Sequence, residues 1–181
     1  MGYEFLVNEH VLIPRQDTEN LVEEALKVIR PDMHVLDMCT GSGCILISLL
    51  KYAAERKHIT GVKAVGADIS ADAIEVAKKN AKLAGVADRI TFAKRDIKDF
   101  ELNEGFMTVI TNPPYGERLL DVKSAEELYK VMGEKFKRTQ GKSYTIITPD
   151  DDFEKIFGRK ADKRRKLYNG TLKCQLYMYF K

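Results

Sequence analysis

The sequence lacks the features that mark several common protein classes. No apolar run approaches the roughly 20 residues of a membrane span. The opening Met1-Gly2-Tyr3-Glu4-Phe5 has neither the basic nor the apolar region of a signal peptide. A cytoplasmic protein without a membrane partner is expected. Three cysteines, Cys39, Cys44 and Cys174, cannot all pair, and no His or Cys cluster has zinc spacing. Reduced, mostly buried thiols and no metal site follow. A net charge of +3 is too small to mark a nucleic-acid binder, although basic residues gather between Arg159 and Lys166. There is no internal repeat and no low-complexity linker. What remains is a chain of 181 residues, 44% hydrophobic and 31% charged. That is length for one domain, spanning 1–181, with a sizeable core.

Along the chain, strand and helix patterns alternate. Residues 3–16 read as an extended or hairpin-like segment, with Phe5-Leu6-Val7 and Val11-Leu12-Ile13 around a turn at His10, closed by Pro14. Asp17 or Thr18 can cap a helix whose apolar positions run from Leu21 to Ile29. Val35, Leu36 and Met38 form a strand leading into Cys39-Thr40-Gly41-Ser42-Gly43, after which Ile45 to Ala53 read as a helix. A second strand ends in Asp68, and its helix, from Ser70 or Ala71, turns Ala73, Ile74, Ala77, Ala81 and Leu83 inward. A third, Ile90 to Ala93, leads to Arg95-Asp96. A fourth, through Phe106, Thr108 and Ile110, stops at Asn112-Pro113-Pro114-Tyr115. A helix from about Ser124 to Phe136, a strand over Ser143–Thr148 and a short helix through Phe153 and Phe157 follow. Asn169-Gly170 marks a terminal hairpin. The pattern predicts an α/β fold: a Rossmann-like, seven-stranded, mostly parallel sheet with helices on both faces and a C-terminal antiparallel hairpin.

In such a sheet the loops at the carboxyl ends of the strands meet along one edge, which gathers residues 37–43, 68–70, 95–97 and 111–116. Glycines 41 and 43 let backbone N–H groups approach a ligand at a helix N-terminus. Asp37 with this turn suits the amino-acid end of a ligand, Asp68 two ribose hydroxyls and Asp96 an adenine amino group, each carboxylate an acceptor matched to donors. Any one of these acids can instead be a helix cap. A nicotinamide dinucleotide site is disfavoured because Leu46 stands where the third fingerprint glycine belongs. The successive prolines stiffen the end of the fourth strand. Asn112 then offers a side-chain carbonyl, Pro113 a backbone carbonyl and Tyr115 a flat face, which together suit a planar NH2 group. Alternatively, the four residues are a strand terminator with an exposed tyrosine.

With Asn112-Pro113-Pro114-Tyr115 at the end of the fourth strand, this set resembles class I S-adenosylmethionine-dependent methyltransferases that act on amino groups. Two subfamilies divide the resemblance. Val11 to Glu19 and Leu36 to Ile45 are similar to HemK-type release-factor glutamine methyltransferases, in which the position of Gln16 is usually proline. Gly66 to Ser70, Asn80-Ala81, Ala84 to Val86, Asn112 to Leu119 and Lys166 to Gly170 are similar to ribosomal-RNA guanine-N2 methyltransferases associated with THUMP domains. A seam falls between about 47 and 65, as in a chimera of two related enzymes; natural divergence is the alternative.

The resemblance implies S-adenosyl-L-methionine as cofactor, held by Asp37, Cys39, Thr40, Gly41, Gly43, Asp68, Ile69, Asp96, Ile97 and Asn112. It implies Asn112, Pro113 and Tyr115 as the catalytic set, with Arg15, Tyr115 and Arg118 on the substrate. Arg15 can equally be a surface charge at a turn. The expected partner is ribosomal RNA, with release factor as the alternative. The basic stretch Arg159, Lys160, Lys163, Arg164, Arg165 and Lys166 can repay the cost of unstacking a base, or be a solvated loop before an edge strand. Both parent types carry a separate substrate-recognition domain, helical or THUMP. A scaffold that binds the donor without efficient transfer is therefore a further expectation.

Overall fold

The structure, a computed structural model, describes residues 2–100, 108–115, 122–169 and 172–180. One sheet holds β1 (His34–Met38), β2 (Lys63–Asp68), β3 (Ile90–Lys94), β4 (Thr108–Thr111), β5 (Ser143–Thr148), β6 (Lys163–Asn169) and β7 (Leu172–Tyr179). Their spatial order is β3-β2-β1-β4-β5-β7-β6. β1 pairs in parallel with β2 and β4, β2 with β3, and β4 with β5. β7 alone runs the other way, antiparallel to β5 and β6. The chain steps outward from β1 to β3, then returns to start again at β4. The switch point between β1 and β4 is where such sheets open a crevice.

Strand alternation sends successive side chains to opposite faces. Val35, Ala64, Ile110 and Ile147 pack with α1 (Gln16–Leu26), α2 (Cys44–Lys57) and the end of α3 (Ala71–Leu83) on one face. Leu36, Met38, Val109 and Ile146 pack with α4 (Val122–Lys135) and α5 (Phe153–Phe157) on the other. The second face is aromatic: Phe136 stacks on Tyr144 at 5.1 Å between centroids, and Phe153 meets Tyr177 at 4.7 Å. These pairs add to the burial of large apolar area.

The structure corrects several local expectations. Residues 2–15 hold no strand. Three side chains find other partners than a strand: Tyr3 meets Tyr52 edge-on at 5.4 Å, Phe5 packs on the first core, and Val11 packs on Ala73 and Val76 of α3, while Leu6, Val7 and Ile13 are exposed. Arg15, not Asp17 or Thr18, is the N-cap residue of α1. Asp17 lies inside the first turn, where its carboxylate accepts the Thr18 N–H at 2.8 Å and favours the positive end of the helix. The helix stops at Leu26, yet Ile29 stays fully buried because its N–H and that of Val28 both bond to Ala25 O. Leu83 is 72% exposed rather than inward; it lies about 200° around the helix from the buried Ala81. α4 starts at Val122, earlier than expected. Phe106 and the hairpin tip at Gly170 lie outside the described residues.

Gly66 in β2 is required by close approach. A Cβ there would lie 2.6 Å from Phe92 and 3.0 Å from Thr40 Oγ1, so it would wedge between the neighbouring strand and the turn after β1. Gly66→Ala should cost about 1–3 kcal/mol, the usual range for overpacking a filled site. Urea unfolding would read this, and an unchanged midpoint would show that the turn yields freely.

Candidate active site

A cavity of about 480 Å³ opens at the carboxyl ends of the strands. Four strand-end regions contribute to its lining. Met38 to Ser42 with Cys44 and Ile45 come from the β1–α2 junction, and Asp68 to Ser70 follow β2. Arg95 to Lys98 follow β3, while Asn112, Pro114 and Tyr115 follow β4. Every predicted loop therefore reaches one edge.

Asp68 organises this edge through the backbone. One oxygen accepts the Gly41 N–H at 2.9 Å and the other the Ser70 N–H at 2.9 Å. Ser70 in turn caps α3, its hydroxyl accepting the Ala73 N–H. Asp96 is likewise both a cap and part of the lining: its Oδ1 accepts the Lys98 N–H at 2.9 Å. The cap reading and the ligand reading of these acids are thus compatible, since a carboxylate has more acceptor sites than one amide uses.

Asp37 differs from the other two acids. It is fully buried, on the same strand face as Val35, beneath the turn rather than on the cavity lining. Its Oδ2 accepts the Thr40 hydroxyl at 2.8 Å, and its Oδ1 is buried without a hydrogen-bond partner. Burial pushes its carboxyl well above the usual carboxylate range; the Thr40 bond opposes this and the nearby Asp68 adds to it. The folded chain therefore holds a proton that the unfolded chain releases near pH 4. This contribution to stability is complete below the unfolded value and is lost as pH rises through the raised folded value. Asp37→Asn should remove a falling slope of up to about 1.4 kcal/mol per pH unit in that window. Urea unfolding across pH reads it, and parallel profiles for the two proteins would show that Asp37 does not titrate so.

Two thiols line the same cavity. Cys39 sits in the left-handed region at φ 61°, and Cys44 begins α2. Burial and then the Asp68 charge push the Cys39 thiol strongly up; burial pushes Cys44 up to about 11. Both stay protonated at neutral pH, which keeps a strong nucleophile away from any alkylating ligand.

The Asn112 corner is held from below. Thr111 is fully buried and its hydroxyl donates to Met38 O, tying the end of β4 to the end of β1. Pro113 is buried, and neither it nor Gly43 appears on the cavity lining. Gly43 is instead the left-handed N-cap of α2. Tyr115 is half-buried and its hydroxyl accepts from Arg15 Nη1 at 3.3 Å. Arg15 thus belongs to the site and is not a bare surface charge. Arg118 lies outside the described residues.

Sequence reasoning missed part of the lining. Residues 10–14 of the N-terminal segment line the cavity, as do Ser124, Glu127 and Leu128 of α4. The spacing 124, 127, 128 is one helical face, on which Leu128 both touches the core and reaches the cavity. The basic stretch is more structural than expected. Arg159 lies over Tyr179 at 4.7 Å and donates to Phe136 O, Arg164 pairs with Glu154 and Arg165 with Glu24. Lys160, Lys163 and Lys166 are exposed, and none of the six lines the cavity. Among the described residues no acid, His or Cys group is placed to hold a metal, and no helix is long and apolar enough to cross a membrane.

The residues present fit a cationic nucleoside donor. A Cβ at Gly41 would meet nothing within 4 Å, so the backbone there is open to a ligand. The carboxylates of Asp68 and Asp96 share one lining. A switch-point crevice with these acids defines an S-adenosylmethionine-dependent methyltransferase domain. More narrowly, the chain belongs to the RMKL-like methyltransferase domain family, whose description matches residues 21–178.

YpsC of Bacillus subtilis, which carries the name of an RNA methyltransferase, is 42% identical over 113 residues, 62% of this chain and 29% of that protein. The release factor glutamine methyltransferase of Clostridium acetobutylicum is 39% identical over 143 residues, 74% of this chain and 48% of that protein. The ribosomal RNA large subunit methyltransferase K/L of Shewanella amazonensis is 40% identical over 119 residues, 65% of this chain and 17% of that protein. The chain thus spans less than half the length of these curated relatives. The crystal structure of SMU.472 complexed with SAH superposes with a TM-score of 0.78 at 31% identity, covering 96% of this chain and 54% of that one.

Proposed function

We propose that this chain methylates a planar NH2 nitrogen, and that its acceptor is guanine N2 of ribosomal RNA. The observation that carries this reading is the Asn112–Tyr115 corner, which opens onto the same cavity as Asp68 and Asp96. When bound, S-adenosylmethionine supplies an activated methyl group. Asp68 would hold the ribose hydroxyls, Asp96 and Ile97 the adenine edge, and the turn over Asp37 the amino-acid end. A planar NH2 has its lone pair delocalised and is a poor nucleophile. The Asn112 carbonyl, accepting from an acceptor N–H, favours positive charge developing on that nitrogen. The Tyr115 ring stacks on the acceptor plane and sets its approach. Pro113, whose ring is buried off the lining, stiffens the corner, so the weight falls on Asn112 and Tyr115.

RNA as acceptor is supported by the names of YpsC and of the K/L relative; on this reading the chain works in the cytoplasm. Exposed Lys160, Lys163 and Lys166 supply part of the backbone attraction. A release-factor glutamine is the second reading, favoured by the relative that aligns with 74% of the chain. A seam between about 47 and 65 is a further part of this proposal. Separate alignment of the two segments against each subfamily would test the seam, and equal scores along the chain would remove it. The function is tested by offering labelled S-adenosylmethionine with ribosomal RNA or with release factor, followed by mass spectrometry of nucleosides and peptides. N2-methylguanosine supports the proposal and N5-methylglutamine the second reading. Donor binding without transfer to either leaves a scaffold.

A further inference from the structure

Residues 2–15 carry no helix or strand, yet side chains from distant segments hold them at defined points. The Leu6 N–H donates to Asn80 Oδ1 at 2.7 Å, and Asn80 Nδ2 donates to Leu6 O at 3.0 Å and to Ser42 O at 2.9 Å. Asn80 is 3% exposed in the last turn of α3. An amide in that position costs stability unless its groups are satisfied, and alanine would serve the helix better. Its bonds go to two other parts of the chain: the N-terminal segment and the glycine turn. Val11 then seats against α3, and Arg15 donates to the Tyr115 hydroxyl. Between these attachments, residues 10–15 line the cavity. One segment is therefore bonded at one end to the helix that steadies the donor turn, and at the other to the ring assigned to the acceptor.

We propose that residues 6–15 form a strap that couples the two halves of the site, with Asn80 and Arg15 as positioning residues: Asn80 seats the strap so that it retains the nucleoside, and Arg15 fixes the angle of the Tyr115 ring. The Arg15 half rests on the function proposed above; the Asn80 half needs only that the cavity binds the nucleoside. A nucleoside leaving a cavity lined by the strap must disturb it, so release is gated by the Leu6–Asn80 pair. Loss of the Leu6 N–H alone should speed release about tenfold, the worth of a typical hydrogen bond left unmade.

Leu6→Pro is the surgical variant, because it removes that N–H and leaves the Asn80–Ser42 bond intact. Dissociation of S-adenosylhomocysteine from the full chain, measured by surface plasmon resonance, should quicken about tenfold in Leu6→Pro and more in Asn80→Ala. The melting temperature of Leu6→Pro should fall by only a few degrees, the cost of one amide oxygen left without its donor. An unchanged dissociation rate in Leu6→Pro would overturn the strap even if Asn80→Ala fails to fold. For the other end, Tyr115→Phe keeps the ring and loses the hydroxyl. It and Arg15→Met should each lower kcat by about tenfold, the double variant no further, and Arg15→Lys should recover part of the loss. Additive losses, or a defect in Arg15→Met alone, would mean that Arg15 acts on the acceptor directly and would overturn the coupling. If the unchanged chain transfers methyl to neither acceptor, the functional reading fails, while the dissociation rates still decide the strap.

Discussion

Asn112→Ala is expected to lower methyl transfer about 100- to 1,000-fold, the range found when one preorganised polar contact to developing charge is removed. The size of the effect follows from rigidity. Asn112 comes directly after a fully buried strand whose last residue, Thr111, is bonded to the end of β1, and two prolines follow it. Such a side chain needs no reorganisation when an acceptor arrives, so its truncation forfeits the whole contact. Asn112 itself is only half-buried, so alanine leaves no core cavity and the melting temperature should hardly move. Single-turnover transfer at saturating donor separates chemistry from binding, and calorimetry with S-adenosylhomocysteine reports the second. Full-rate transfer by the variant would remove Asn112 from the mechanism.

Asp68→Ala is expected to weaken S-adenosylhomocysteine binding at least 100-fold, or roughly 2.7 kcal/mol and upward. Each Asp68 oxygen already accepts one backbone N–H, from Gly41 or Ser70, and retains capacity for a ribose hydroxyl. Bonds to a charged acceptor contribute about 1.5–3 kcal/mol each. The variant loses two of them to the ligand and also frees the N–H groups that shape the turn. Asp68→Asn, which keeps one carbonyl oxygen, should fall between. The same substitution removes a charge that raises the Asp37 carboxyl, so Asp37 should titrate closer to the usual carboxylate range. Calorimetry at two pH values reads both effects. Affinity within twofold of the unchanged chain would show that the ribose end is held elsewhere.

The legible parts of this protein were those encoded locally. A short apolar strand, a glycine turn and a helix can be read from Val35 to Ala53 because period and punctuation change within a few residues. The acids at the strand ends and the proline corner are legible for the same reason. The N-terminal segment was not. Phe5-Leu6-Val7 and Val11-Leu12-Ile13 look like strands, but Phe5 packs on the core, Val11 packs on α3, Leu6, Val7 and Ile13 stay exposed, and the Leu6 backbone bonds to a side chain 74 residues away. The basic stretch misleads similarly. Arg165 looks available to a polyanion until Glu24, 141 residues earlier, is found beside it.

Local residue order encodes the alternation of strands and helices, hence the parallel sheet, and the residue types at each strand end. Which of those residues face the cavity depends on packing between distant segments. Asp37 and Asp68 are both strand-end acids, yet one is sealed beneath a turn and the other lines the crevice. Strand alternation fixes only to which side a residue points; what covers that side is set by helices from elsewhere in the chain. Likewise, Arg15 and Tyr115 meet across 100 residues because the sheet brings both ends of the switch point together, and no local preference specifies that.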